Sequence, residues 1–207
     1  MRVHVYLFDR FGINQCKIFN FLLMNLTLNQ AHIFRFLSLC FAYPNEGFFK
    51  NLELKLKDIK GDKSDLEVLY KALKAEELEM LQGEYTRLFI TGYPKTPCPP
   101  YESVQLEGRI MGKAADRVQQ IYREWEMTVE PGILDHISTE LEFCAFLCSA
   151  STITEAKEEA ETAFQAFMAQ HIMNWVPDFL QKLQTHAKFQ VYKELAKTME
   201  SQLNVHR

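Results

Sequence analysis

The segment Asp135-His136-Ile137-Ser138-Thr139-Glu140 places two carboxylates and an imidazole within six residues. A carboxylate beside a histidine is the kernel of both acid–base catalysis and metal ligation. On a helix His136 and Glu140 are i and i+4, so they share a face and could pair. Asp135 is placed as an N-cap, its carboxylate accepting orphan backbone N–H groups at the start of the next helix. A metal site needs three or four ligands, and here a distant residue would have to join Asp135, His136 and Glu140. Acid–base catalysis needs a reacting group in reach of the imidazole, and no nucleophile stands near in sequence. A small metal- or nucleotide-dependent enzyme using Asp135, His136 and Glu140 is one reading of the segment, and a helix start is another.

Two further stretches carry chemistry-bearing residues. Pro99-Pro100-Tyr101-Glu102-Ser103-Val104 closes a loop opened by Glu84-Tyr85-Thr86-Arg87-Leu88-Phe89. Its prolines fix the backbone and deliver Tyr101 and Glu102 to a helix start, where an acid suits the helix dipole. An apolar, acid-edged surface of this kind suits an extended or helical peptide. The run from Phe167 to Phe179 places His171 and Trp175 at i and i+4, where they would stack or hydrogen-bond. Cys144 and Cys148 share a helix face and read as small buried hydrophobes. No glycine-rich phosphate cradle, nucleophile elbow or H-E-x-x-H motif occurs.

Helices must position these residues. Phe34, Leu37 and Phe41 with Ile33 mark a helix that stops before Pro44. Phe48 to Lys57 has an ambiguous period, and Leu66, Leu69, Tyr70 and Leu73 repeat at helical spacing. Glu76 to Ile90 is helix on the stripe Leu78, Leu81, Tyr85, Leu88 and Phe89. Helix is expected again from Glu102 to Glu126, with Val104, Ile110, Met111, Ala114, Val118, Ile121 and Trp125 buried. The helix after Asp135 has two apolar sides and should be central. Another is expected from Ser151 or Thr152 to Trp175, with Pro177 in the first turn of the next, and a last one from Lys188 to Leu203. The expected fold is an all-α bundle of roughly eight helices, with a proline-rich loop or hinge between halves. With only 8 Gly and 7 Pro in 207 residues, a turn-rich sandwich or barrel is disfavoured.

The net charge of −4 and the lack of a Lys/Arg block argue against nucleic acid. The 5 cysteines are odd in number and scattered, without C-x-x-C, which points to a reducing compartment and the cytoplasm. Ile18 to Leu28 is apolar and comes after Lys17, but it is too short to span a bilayer and is not succeeded by a small-residue cleavage site. It is expected to dock on the fold, and stable membrane insertion is not expected. Met24 is an alternative start, and Val3 to Phe8 alternates weakly. Residues 1–28 are therefore read as an N-terminal extension and 29–207 as one all-helical domain.

These pieces in this order resemble the redox-enzyme maturation chaperones of the TorD/DmsD/NarJ group, which serve molybdenum-cofactor oxidoreductases. The resemblance rests on Phe36-Leu37-Ser38 through Tyr43-Pro44, Glu84 to Phe89, Pro99 to Val104, Asp135-His136-Ile137 with Glu140 to Phe143, and His171-Ile172 with Trp175 and Phe179. It departs at Leu134, where the family often has Pro before the Asp. The resemblance implies an all-α fold, as monomer or domain-swapped homodimer, without catalysis and without a cofactor or metal of its own. It implies that the partner is the catalytic subunit of a molybdenum oxidoreductase, bound in its apo form through an N-terminal leader of twin-arginine type before cofactor insertion and export. Leader binding would fall on Pro99, Pro100, Tyr101, Glu102, Ser103, Asp135 and His136, with Tyr85, Leu88 and Phe89 lining the apolar side and Glu140 at the acid edge. A structural helical adaptor is the other reading that needs no catalysis.

Overall fold

The computed structural model describes residues 26–129 and 134–205. The readings made for Val3 to Phe8 and for the apolar stretch from Ile18 lie outside them, apart from its last residues. Among the described residues the regular structure is helical: α1 (Leu28–Phe41), α2 (Phe48–Asp58), α3 (Ser64–Lys74), α4 (Leu78–Tyr85), α5 (Glu102–Glu107), α6 (Lys113–Glu124), α7 (Ile137–Ala150), α8 (Lys157–Phe167), α9 (Met173–His186) and α10 (Gln190–Val205). None of them is long and apolar enough to cross a membrane.

Helix α1 starts on a capping box. The Thr27 side chain accepts from Gln30 N–H, and the Gln30 side chain accepts from Thr27 N–H at 2.7 Å. Its buried face, with Phe34, Leu37 and Phe41, packs on α7. Helix α7 is buried on almost every side, from Ile137 through Leu141 and Phe143 to Cys148, as its two apolar stripes predict. Helices α8, α9 and α10 close the core around it, with Phe164, Trp175, Phe179 and Leu195 buried. Cys40, Cys98, Cys144 and Cys148 are free, buried thiols. Burial pushes the Cys98 and Cys148 thiols up to about 12, which keeps them protonated.

Two helix ends are widened into π turns. Thr86–Ile90 extends α4, closed by Thr91 N–H donating to Thr86 C=O at 2.8 Å. Met168–Ile172 links α8 to α9 without a break. A π turn inserts a residue and rotates the side chains beyond it, and it recurs at sites of use. Leu88 and Phe89, both within the first, are buried, as their place on the apolar stripe predicts.

Several boundaries differ from the sequence expectation. The ten helices of the described residues agree with a bundle of roughly eight, and one of the additional ones arises because the stretch expected to be helical from Glu102 to Glu126 is broken. Gly108 ends α5 in the left-handed region at φ 73°, and α6 starts only at Lys113. Ile110 and Met111, expected inside, are therefore exposed. Residues 151–156 form turns, so α8 begins later than Ser151 or Thr152. Pro177 lies inside α9 and not in the first turn of a new helix. The continuous run from 157 to 186 carries it where only one intrahelical N–H is lost.

Candidate functional site

The proline loop, residues 91–101, is tied down at both ends. At its start Thr96 Oγ donates to Ile90 C=O, and Cys98 N–H donates to Leu88 C=O at 2.9 Å. At its end it forms an isolated antiparallel bridge with the segment before α7, pairing Tyr101 with His136. Glu102 N–H donates to Asp135 C=O and Ile137 N–H to Pro100 C=O, both at 2.9 Å. The Tyr101 ring stands edge-on to the His136 ring, centroids 5.0 Å apart. The two segments that sequence separates by more than 30 residues thus make one corner.

The caps at this corner are exchanged relative to the sequence expectation. Asp135 does not cap its own helix. Its Oδ2 accepts from Ser103 N–H at 2.6 Å, in the first turn of α5. The N-cap of α7 is His136, whose Nδ1 accepts from Ser138 N–H at 3.1 Å and lies 2.7 Å from Ser138 Oγ. A cap residue is extended rather than helical, so the i, i+4 geometry that would pair His136 with Glu140 does not arise. Burial pushes His136 down to about 4, so the ring is neutral near pH 7, an acceptor at Nδ1.

Beneath the corner lies a buried polar centre. Glu102 and Glu140 are both 0% exposed. Glu102 Oε2 is 2.8 Å from Nδ1 of His171, which projects from the second π turn. Glu140 Oε2 accepts from Trp175 Nε1–H at 3.0 Å. His171 and Trp175 therefore do not pair with each other. Each takes one glutamate, while their rings stack on Phe167 and pack against Phe179. Burial, then the neighbouring Glu102 charge, drive the Glu140 carboxyl far above the usual carboxylate range. Glu140 is thus protonated and neutral, which avoids two facing charges in a dry interior. The centre ties α5, α7 and the α8–α9 junction together.

The other sequence-predicted residues fall in two places. Tyr85, Leu88 and Phe89 are core residues. Tyr85 Oη donates to Phe41 C=O at 3.1 Å, and Phe89 packs on Tyr85, Phe179 and Tyr192. Pro100 and Ser103 are buried, while Pro99 and Tyr101 are half-buried at the surface of the corner. Sequence reasoning missed Glu84 as a buried anchor. Its carboxylate takes Arg87 Nε and Nη2 at 2.7 and 2.8 Å and accepts Lys188 N–H at 2.6 Å. The i, i+3 spacing of Glu84 and Arg87 was the available signal. Among the described residues no group of three or more His, Cys, Asp and Glu is placed to hold a metal.

Fold and corner together define a class of all-α protein whose ionisable groups act as ties between helices. Within that class the chain belongs to the family described as nitrate reductase delta subunit, whose model it matches over residues 58–181. It is 28% identical to a chlorate reductase assembly chaperone of Ideonella dechloratans, over 62% of this chain and 69% of that protein. It is 26% identical to the chaperone protein TorD of Vibrio cholerae, over 56% of each, so it spans little more than half of TorD. A crystal structure described as a redox enzyme maturation protein of Archaeoglobus fulgidus superposes with a TM-score of 0.65 at 27% identity, over 84% of this chain and 93% of that one. The two curated relatives are named as chaperones, and the chain is not an enzyme. The enzyme reading of Asp135, His136 and Glu140 is thereby set aside. Its geometric basis fails as well, since the His136 ring turns to Ser138 and the Glu140 carboxyl to Trp175.

Proposed function

We propose that this chain is a cytoplasmic assembly chaperone for the catalytic subunit of a molybdenum oxidoreductase, binding its apo form through a twin-arginine type N-terminal leader before cofactor insertion and export. The observation that carries the reading is the corner, where the proline loop and the Asp135–His136 segment are held side by side. Pro99 and Tyr101 offer the apolar and aromatic surface that a leader's middle needs, with the His136 ring beside them. Asp135, Glu102 and Glu140 are positioning residues. They fix the corner from beneath and are not free to meet a leader in this conformation. Burying three or four apolar leader side chains would contribute roughly 5–8 kcal/mol, of which ordering the peptide returns a few.

The test is titration with a leader peptide from a molybdenum oxidoreductase of the same organism. Tyr101→Ala with His136→Ala is expected to weaken binding by about tenfold or more. An unchanged affinity for that pair rejects the site. Retained binding to the folded subunit without any to the leader would instead favour the adaptor reading.

A further inference from the structure

We propose that the turn between α5 and α6, with the first turns of α6, is a second docking surface, and that it takes a partner segment bearing acidic and large apolar side chains. Leu106, Glu107, Arg109, Lys113 and Arg117 line an open depression of about 470 Å³. Three of its five lining residues are cations, on a chain whose net charge is −4. The one acid is already used. Glu107 accepts Lys113 N–H at 3.0 Å and Ala114 N–H at 2.7 Å, capping α6 from outside, and lies 3.6 Å from Arg109 Nη2. Its charge is shared between the helix start and Arg109, and all three cations remain exposed.

The apolar part is equally specific. Leu106, Ile110 and Met111 are 42%, 60% and 59% exposed. Met111 is held there at φ 55°, a left-handed conformation that an L side chain adopts at a cost. Beside it Gly112 packs under the Glu107 carboxylate, where an added Cβ would lie 2.5 Å from Oε2. An exposed apolar ridge beside an open basic depression, held in a strained turn, is built for contact. The charge selects the occupant. A basic leader would be repelled here, and an acidic segment attracted. The occupant is a polypeptide segment, and an anionic membrane surface is the rival that the vesicle arm of the test excludes. This surface does not depend on leader binding, and it begins one short helix away from Tyr101.

The probe is a fluorescein-labelled synthetic peptide of Glu with Leu at helical spacing, titrated against the full chain. The control replaces every Glu by Lys. The acidic peptide is expected to bind and the Lys peptide not, with affinity falling several-fold between about 50 and about 300 mM salt. Arg109→Gln, Lys113→Gln and Arg117→Gln together should weaken binding by about tenfold. Ile110→Ser with Met111→Ser, which leaves all charges in place, should weaken it about fivefold. Both variants should keep wild-type affinity for the leader peptide and wild-type thermal unfolding. Equal binding of the two peptides, no binding, or insensitivity to both variants overturns the proposal. So does co-sedimentation with phosphatidylcholine–phosphatidylglycerol vesicles that is lost in the same variants without a matching loss for the peptide.

Discussion

The two π turns solve the same problem with opposite chemistry. Each places a basic side chain on a buried glutamate at one end of the proline loop: Arg87 on Glu84 at the start, His171 on Glu102 at the end. At the first, burial alone would raise the Glu84 carboxyl. Arg87 and the backbone N–H groups of Lys188 and Phe189 outweigh it, and hold Glu84 below the usual carboxylate range. At the second, a further acid, Glu140, faces Glu102 without a cation of its own and is driven to the neutral form. A buried acid is kept charged where donors converge on it, and is protonated where another acid competes for them.

The isosteric change of Glu to Gln separates the two. Glu84→Gln removes the charge from a buried pair whose guanidinium and backbone donors stay behind. We expect it to cost about 3 kcal/mol in denaturant unfolding, with faster amide exchange at Lys188 and Cys98. A cost below 1 kcal/mol would mean that the pair is screened like a surface ion pair. Trp175→Phe takes the indole donor from Glu140 and should cost about 1–2 kcal/mol, measured the same way. Glu140→Gln keeps a neutral, hydrogen-bonding side chain in place and should change stability near pH 5 by less than about 0.5 kcal/mol.

The pH dependence sharpens the same contrast. A raised Glu140 means that the native state holds a proton which the unfolded chain releases above its ordinary carboxylate pKa. Its contribution is present in acid and is lost as pH rises towards the native value. Wild type should therefore lose stability on the alkaline side more steeply than Glu140→Gln, in melting temperatures recorded from pH 5 to 9. Glu84 has the opposite sign, its contribution being present above the usual carboxylate range and lost below it. His136, neutral in the fold to about pH 4, charges in the unfolded chain from about 6.5 downward. Its contribution is thus lost between those values, and its charge is unchanged from pH 6 to 8. A leader affinity that shifts between pH 6 and 8 would contradict this assignment.

How much of this was legible varies by element. The α7 helix was readable from its two apolar stripes, because burial on all sides leaves a local pattern. The α4 stripe was readable from its i, i+3, i+4 spacing, Leu88 and Phe89 included, while the π turn that carries them was not. The break at residues 108–112 was not. Ile110 and Met111 continue a helical spacing, and the signal against it was Gly108 and Gly112 bracketing them, with Glu107 able to cap α6. Apolar type alone does not say inside or outside.

The residue types and their order sufficed to place an acid, a histidine and a fixed proline turn near helix starts, and they sufficed for the all-α class, since periodicity and propensity act over a few residues. Which atom each acid meets was decided only in three dimensions. Asp135 caps α5 rather than α7, Glu102 finds His171, and Glu140 finds Trp175, across 32, 69 and 35 residues of chain. Such pairings depend on where whole helices come to rest, and burial then sets the charge of each group.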